Sequence, residues 1–418
     1  MGTPLRQRRG PRHHVVIVGA NFAGLTAGQH LPARHAVTVI DSSSWFEWLP
    51  NIHELLSGAK RPETLRLSRR RLIAATGHRF VCAAVDVIDP GAGRVILANG
   101  RSVPFDICIV AVGGVNETFG VPGAGQYAMP FKSVAQCDAI GRRLATLARR
   151  PGPVDLVIVG GGLEGVEALG EILRRYREHP GLAVRVVEGS RALLPGAPKA
   201  LDALVRRHCA PFNVRFDTGT RVTKVTKTRV YLNSGDVAAS DLTIWTGGAT
   251  ASPVLLASGL ASRPKQWAPV RQTLQSRHFD NVFVVGDAAA LPKPLSKQAY
   301  YAMQMGKHAA DNVERLLEGQ PLRPFTPSAK PVLIAFGDLD AFLVSGTTVL
   351  AGTVLTAAKE AVFELTMAQI DPPTTRQALA GLARRLVQCG IGIALPTLTS
   401  PRALRRLPQV RLIPALAR

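Results

Sequence analysis

His14-Val15-Val16-Ile17-Val18-Gly19-Ala20-Asn21-Phe22-Ala23-Gly24 is the stretch that decides the fold. A short β-branched run reads as a strand buried on both faces, and Ala23 to Leu31 fits the helix after it. Val37-Thr38-Val39-Ile40-Asp41 reads as a second parallel strand with an acid at its tip. The unit is βαβ, and its turn aims backbone N–H groups and the positive pole of a helix at an anion. Gly19 and Gly24 allow the bend and the close approach of a pyrophosphate, and Asp41 suits the ribose hydroxyls of an adenosine. Asn21 holds the middle glycine position. Asn tolerates left-handed backbone better than most residues and can donate its amide to phosphate, so the departure is survivable.

The same order recurs after the linker Pro151-Gly152-Pro153. Leu156 to Val159 is the strand, Gly160-Gly161-Gly162-Leu163-Glu164-Gly165 the turn, Val166 to Arg177 the helix and Val184 to Glu188 the second strand. All three glycines, Gly160, Gly162 and Gly165, are present. Glu188 would repel a 2′-phosphate, which favours NADH over NADP(H), although Arg191 close behind it offsets part of that repulsion. Apolar strands return to glycine at Ile107 to Gly113-Gly114, at Leu242 to Gly247-Gly248 and at Val282 to Gly286-Asp287. An Asp in the last position can hydrogen-bond a flavin ribityl chain or merely cap a turn. Two dinucleotides in one polypeptide imply electrons passed between them.

The expected fold class is therefore α/β, with two Rossmann-like dinucleotide-binding domains, one inserted in the other. The ranges are a basic N-terminus at 1–13, a first dinucleotide domain at 14–150 and 271–330, an NAD(H) domain at 151–270, a hairpin and helix at 331–373, and a basic amphipathic tail at 374–418. A β-meander is expected to end at Asn99-Gly100, a hairpin over Ile334 to Val354, and helices over Gln298 to Leu317 and Thr356 to Ile370. The uncharged stretch Ala341 to Ala358 approaches the length of a membrane span, but its Thr pair and glycines favour paired strands.

With 418 residues, 46% of them apolar, the chain can bury more than one core, which excludes disorder throughout. A formal net charge of +22 requires surroundings that accept cations. Arginines cluster in residues 1–14 and after Asp371, where Arg376, Arg384, Arg385 and others occur without an acid. Leu379, Leu382, Ala383, Leu386 and Val387 recur at helical spacing among them, the pattern of a segment on an anionic membrane surface or one packed on the domain. Nucleic acid is disfavoured, because there is no aromatic interleaving, zinc site or reader helix. The five cysteines are scattered and form no CxxC, which disfavours a disulfide framework and a redox dithiol. The expected setting is cytoplasmic, since Val15 to Val18 is too short for a signal segment and Arg6 stands where a myristoylation motif wants Ser or Thr. No His cluster has metal-ligand spacing, so no metal is expected.

Taken in order, Gly19 to Gly24, Asp41, Val110 to Gly113, Gly160 to Glu167, Glu188, Trp245-Thr246-Gly247 and Gly286-Asp287 resemble the two-dinucleotide-binding-domain flavoproteins over residues 14 to 370. Phe46-Glu47-Trp48-Leu49-Pro50 to Gly58, Thr118 to Gly123, and Gly165-Val166-Glu167 resemble the type II NADH dehydrogenases and the apoptosis-inducing-factor-like NAD(P)H:quinone reductases. The resemblance implies FAD at the first turn, NAD(H) at the second and a quinone acceptor, on a protein peripheral to the inner face of the membrane. It also implies Glu167 beside nicotinamide and flavin, with Lys297 stabilising reduced flavin or quinol oxygen. The family pattern AQxAxQQG aligns with Ala299 to Gly306, making Tyr300 and Gln304 acceptor-site candidates and replacing its first Gln by Tyr300. Sulfide:quinone chemistry is disfavoured, because no cysteine lies between Cys209 and Cys389. A soluble flavin oxidase or tailoring oxidoreductase, and a redox-gated binding partner with little turnover, remain open, as does a homodimer.

Overall fold

The computed structural model describes residues 13–372 and 410–413. Residues 1–12, 373–409 and 414–418, which carry most of the two basic ends, lie outside the described residues. Contacts divide the chain into one unit of residues 1–47, 66–117 and 249–328, and another of 48–65, 118–248 and 329–418.

The first unit is built on five parallel strands in the order Val282–Val284, Ile107–Val110, His14–Val18, Ala36–Asp41, Arg79–Cys82. The helix Phe22–His30 follows the central strand and packs on the long helix Ala299–Leu317. A Cβ on Gly306 would lie 2.1 Å from the Ala23 carbonyl oxygen, so this crossing depends on glycine. One face of the sheet (Val16, Val18, Val110, Val284) forms a core with Ile88, Val95 and Leu97 of an antiparallel meander. That meander runs through Val85–Asp89, Arg94–Leu97 and Ser102–Pro104. Asn99-Gly100 is its second turn rather than its end.

The second unit repeats the plan. Its parallel strands run Ala128–Pro130, Leu242–Trp245, Val154–Val159, Leu182–Glu188, Val214–Thr218, with Leu163–Tyr176 as the helix after the glycine turn. A second meander, Val222–Val225, Arg229–Leu232 and Val237–Ala239, closes its core over Val157, Val159, Val187 and Trp245.

The units are drawn differently from the sequence-based ranges, for reasons of hydrogen bonding. Ala128–Pro130 pairs with Thr243–Trp245, which takes residues 118–150 into the second unit. Ala249–Ala251 pairs with Gly114–Asn116, and Ala268–Pro269 with Ala289–Ala290, which takes 249–270 into the first. The segment 48–65 packs on the helices Val134–Leu147 and Leu163–Tyr176 of the second unit, where a Cβ on Gly141 would stand 2.4 Å from the Leu55 oxygen.

The expected hairpin is an antiparallel sheet of Val332–Phe336, Asp340–Ser345 and Thr348–Ala351, and Arg411–Ile413 returns to pair with the last of these. The membrane-span alternative for 341–358 fails, because the segment is divided between two strands and the start of the helix Leu355–Ile370. Among the described residues no helix is long and apolar enough to cross a membrane.

Candidate active site

The two glycine turns have the same construction. Gly19 has φ +95° and Gly160 +109°, a left-handed backbone that strains any residue with a Cβ. A Cβ on Gly24 would fall 1.8 Å from the Gly19 oxygen, and one on Gly165 1.9 Å from the Gly160 oxygen. Glycine is therefore obligatory where each helix crosses its strand. Neither helix has a side-chain hydrogen bond capping its N-terminus, and the space a Cβ on Gly162 would enter is open for 4 Å. An uncapped helix start facing open space is the cradle a pyrophosphate requires, so the second turn fits a dinucleotide, and the first repeats its backbone construction.

The acids are held alike too. Asp41 accepts from Ala20 N at 2.8 Å and Ser43 N at 2.9 Å; Glu188 accepts from Gly161 N and Ser190 N, both at 2.7 Å. In each case the donors are the residue after the first glycine and the residue two beyond the acid. Among the described residues, Asp41 alone of the two acids is paired with a cation. Arg69 Nη1 lies 2.6 Å from its carboxylate and also donates to Ser43 O, while Arg69 Nε donates to Ala20 O. Burial pulls the Arg69 guanidinium below its usual pKa against the opposing pull of Asp41.

The expectation for Asn21 requires correction on both counts. Its φ is −95°, so it needs no left-handed tolerance, and Gly162 at the matching place has φ −73°. Its amide does not point along the turn: Nδ2 donates to Glu47 O and Oδ1 accepts from Glu47 N, each at 3.2 Å. Asn21 ties the helix start to the strand Trp45–Glu47.

In the first unit, the returning strands end near a cavity of about 290 Å³ lined by Trp267, Gly286, Asp287, Lys297, Tyr301 and Met305. Gly286 has φ +65° and opens a short turn that carries Asp287. Gly113, at φ +62°, has open space around it. Lys297 Nζ donates to the Asp287 carbonyl and sits 3.4 Å from the centre of the Trp267 ring. Burial lowers its pKa, and Asp287 opposes that shift. Tyr300 and Tyr301 lie with ring centres 4.2 Å apart and planes tilted by 46°, yet Tyr301 is the one that lines the cavity. Gln304 exchanges two hydrogen bonds with the Ser328 backbone, at 3.1 and 2.8 Å, so its amide anchors a loop.

In the second unit, Gly247 follows the strand Leu242–Trp245, and the one hydroxyl hydrogen of Thr246 is shared between Val159 O at 3.0 Å and Gly160 O at 3.1 Å. Two residues past Gly165, Glu167 is buried in an ion cluster. Its Oε1 accepts from Lys359 Nζ at 2.5 Å and Ala335 N at 3.2 Å, and Oε2 lies 3.4 Å from His53 Nδ1. Burial raises the Glu167 pKa, with Lys359 pulling the other way; burial and Lys359 together hold His53 well below its usual value. One turn on, Glu171 accepts from Ser57 Oγ, and burial pushes its carboxyl up to about 7.

Residues 13–306 match the pyridine nucleotide-disulphide oxidoreductase family. The chain belongs to that family. Among curated relatives, a demethylphylloquinone reductase of Synechocystis sp. is 27% identical over 374 residues, spanning 84% of this chain and 91% of that protein. A type II NADH:quinone oxidoreductase of Staphylococcus saprophyticus is 26% identical over 75% of this chain and 85% of its own. Among solved structures, NDH2 from Plasmodium falciparum in complex with NADH superposes with a TM-score of 0.76 at 15% identity, covering 85% of this chain and 95% of that one. The sulfide:quinone oxidoreductase of Aquifex aeolicus gives 0.77 at 18% identity over 96% and 97%, a likeness of fold.

Among the described residues the cysteines are free thiols, Cys108, Cys137 and Cys209 buried and Cys82 exposed, and no two of the five in the sequence are three apart. Sequence reasoning missed Lys359, Arg69 and Trp267. The signal for Lys359 was a lysine on the apolar face of a helix, sharing that face with Phe363 and Ile370. For Arg69 it was only a basic run, in which one arginine is buried and the two beside it are exposed.

Proposed function

We propose that this oxidoreductase is an FAD-dependent NADH:quinone oxidoreductase of the type II NADH dehydrogenase kind. The observation that carries the reading is the duplicated turn, two uncapped helix starts each with a carboxylate fixed beside it, in a chain whose relatives are named quinone reductases. FAD belongs at the first turn, with Gly19, Gly24 and Asp41, Gly113 on the returning strand, and Gly286-Asp287. Asn21 serves there through the backbone of the turn. NAD(H) belongs at the second, with Gly160, Gly162, Gly165, Glu188 and Gly247.

Bound together, the two cofactors supply hydride transfer from nicotinamide to flavin and onward two-electron reduction of a quinone. The protein contributes position and charge. Lys297, held over Trp267 and against Asp287 O, places a cation at the cavity where reduced flavin or a quinol oxygen needs one. Glu167, paired with Lys359 and His53, is the buried acid that can hold a proton. Tyr301 and Met305 carry the acceptor side, and Tyr300 and Gln304 support them from the neighbouring helix face. Glu188 favours NADH over NADPH. The cationic ends suit a peripheral place on the inner face of an anionic membrane, and self-association into a dimer is compatible with the chain.

Anaerobic titration tests this. The protein should be yellow, bleach with NADH at lower concentration than with NADPH, and recover with a short-chain quinone. Failure of NADH to bleach it refutes the reading; recovery by dioxygen with quinone making no difference turns it into an oxidase.

A further inference from the structure

The two glycine turns share a backbone construction and differ in what stands on their acids. Arg69 is 5% exposed and belongs, like Asp41, to the first unit. The chain delivers it locally. The strand Arg66–Ser68 pairs with Trp45–Glu47, Ser68 Oγ accepts from Arg71 N, and Arg69 N donates to Ser44 O at 3.0 Å. Arg70 and Arg71 in the same run are exposed.

Counting hydrogen bonds separates the two acids. An ionised carboxylate offers about four acceptor positions. Glu188 uses one on each oxygen, and both donors are backbone N–H groups. Asp41 uses a third, because Oδ1 takes Arg69 Nη1 as well as Ser43 N, while Oδ2 takes Ala20 N. Two adjacent ribose hydroxyls can both donate to Glu188, whereas Asp41 has room for one. Arg69 makes up the difference with donors: Nε and Nη1 are committed to Ala20 O, Asp41 and Ser43 O, and Nη2 bonds nothing among the described residues. Charge separates the turns further. A dinucleotide brings a doubly charged pyrophosphate to a helix start worth about half a positive charge. At the second turn Glu188 adds its own negative charge; at the first, a guanidinium that stays protonated cancels that of Asp41.

We propose that Arg69 is the retention determinant of the first nucleotide site, making that turn keep its adenine dinucleotide while the second, built without such a cation, exchanges its own. The inference rests on the functional reading above, in which FAD stays bound and NADH must leave as NAD⁺ at every turnover. Arg69 acts through Asp41 and through the charge of the turn, and is a positioning residue. The rival role is a strut for the fold, which its bonds to Ala20 O and Ser43 O would also serve.

The test uses the full-length, flavin-loaded protein with Arg69→Met, Arg69→Lys and Asp41→Asn. Flavin release on dilution is read from the rise of FAD fluorescence, NAD⁺ affinity from equilibrium dialysis with FAD kept saturating. Arg69→Met is expected to raise the FAD Kd and release rate roughly 10- to 100-fold, the worth of a hydrogen bond to a charged group, and to leave the NAD⁺ Kd within about twofold. Arg69→Lys keeps the charge and should restore part of the loss. Arg69→Met with Asp41→Asn should lose less FAD affinity than the two single losses multiplied together, since one residue acts through the other. Parent-like FAD release in Arg69→Met overturns the proposal, and so does an equal loss of NAD⁺ affinity, which would make Arg69 a strut. If Arg69→Met does not fold, Arg69→Lys decides: FAD affinity must fall and NAD⁺ affinity must not. If the parent takes up no FAD, the functional reading fails, and ADP, the half common to both dinucleotides, becomes the probe. Arg69→Met should then weaken one ADP site about tenfold or more and spare the other; loss at both or at neither overturns the proposal.

Discussion

Glu171 is buried and titrates at about 7 inside the fold, against an ordinary value of 4.5. The folded chain therefore holds this proton more tightly than the unfolded chain. Its contribution to stability is fully present below about pH 4.5 and lost as pH rises through 7. Glu171→Gln removes that dependence while keeping an acceptor for Ser57 Oγ. Urea melts should find the variant more stable than the parent at pH 8, on the order of 2 kcal/mol, with the gap closing towards pH 5. An equal gap at both pH values would show that packing, not ionisation, sets the difference. Lys359 makes the complementary case, because it is a buried cation against a buried carboxylate. Lys359→Met leaves Glu167 with an uncompensated charge and should cost roughly 3–5 kcal/mol at neutral pH. Adding Glu167→Gln to it should recover most of the loss, which a double-mutant cycle measures directly. Neither residue's environment was legible in sequence, because the lysine that pairs with Glu167 lies 192 positions away.

The glycine turns are the elements that sequence shows best, since their requirement is local. Gly19 to Gly24 and Gly160 to Gly165 name a strand, a bend and a helix crossing, and the backbone realises them with left-handed φ at Gly19 and Gly160 and no room for a Cβ at Gly24 and Gly165. Gly165→Ala should abolish NADH binding and leave bound flavin in place, whereas Gly24→Ala should abolish flavin binding; absorbance and equilibrium dialysis separate the two. Asn21→Gly should behave otherwise, because its φ is ordinary and its role is the pair of bonds to Glu47. Flavin should remain at full occupancy while stability falls by about 1–2 kcal/mol. Loss of flavin from Asn21→Gly would restore the phosphate role that the sequence suggested. The limit of local reading shows at Ala128–Pro130 and Ala249–Ala251. Three-residue strands carry no period to read, and their sheet is chosen by hydrogen-bond partners more than 100 positions away.

Across the whole molecule the charge of +22 is the property least absorbed by the two nucleotide turns, and the tail after Asp371 adds eight arginines to it with no acid. Deleting everything after Pro372 is the obvious test of membrane binding, but the end of the chain rules it out as a clean one. Arg411–Ile413 forms the fourth strand on Thr348–Ala351, and Arg411 bonds Asp340 at 2.8 Å, a carboxylate 2% exposed that also meets His208 at 2.9 Å. Truncation removes an edge strand and one partner of a buried acid together with the arginines. It should lower the melting temperature, by about 2–4 °C for each kcal/mol lost, whatever the tail does at a membrane. Replacing Arg376, Arg384 and Arg385 by Gln keeps the strand and removes only charge. That variant should melt with the parent yet float less with anionic vesicles at low salt, each juxtamembrane arginine being worth about 1 kcal/mol. Undiminished flotation would place the membrane contact elsewhere, and loss of flotation in the truncated chain alone would trace it to the sheet that Arg411–Ile413 completes.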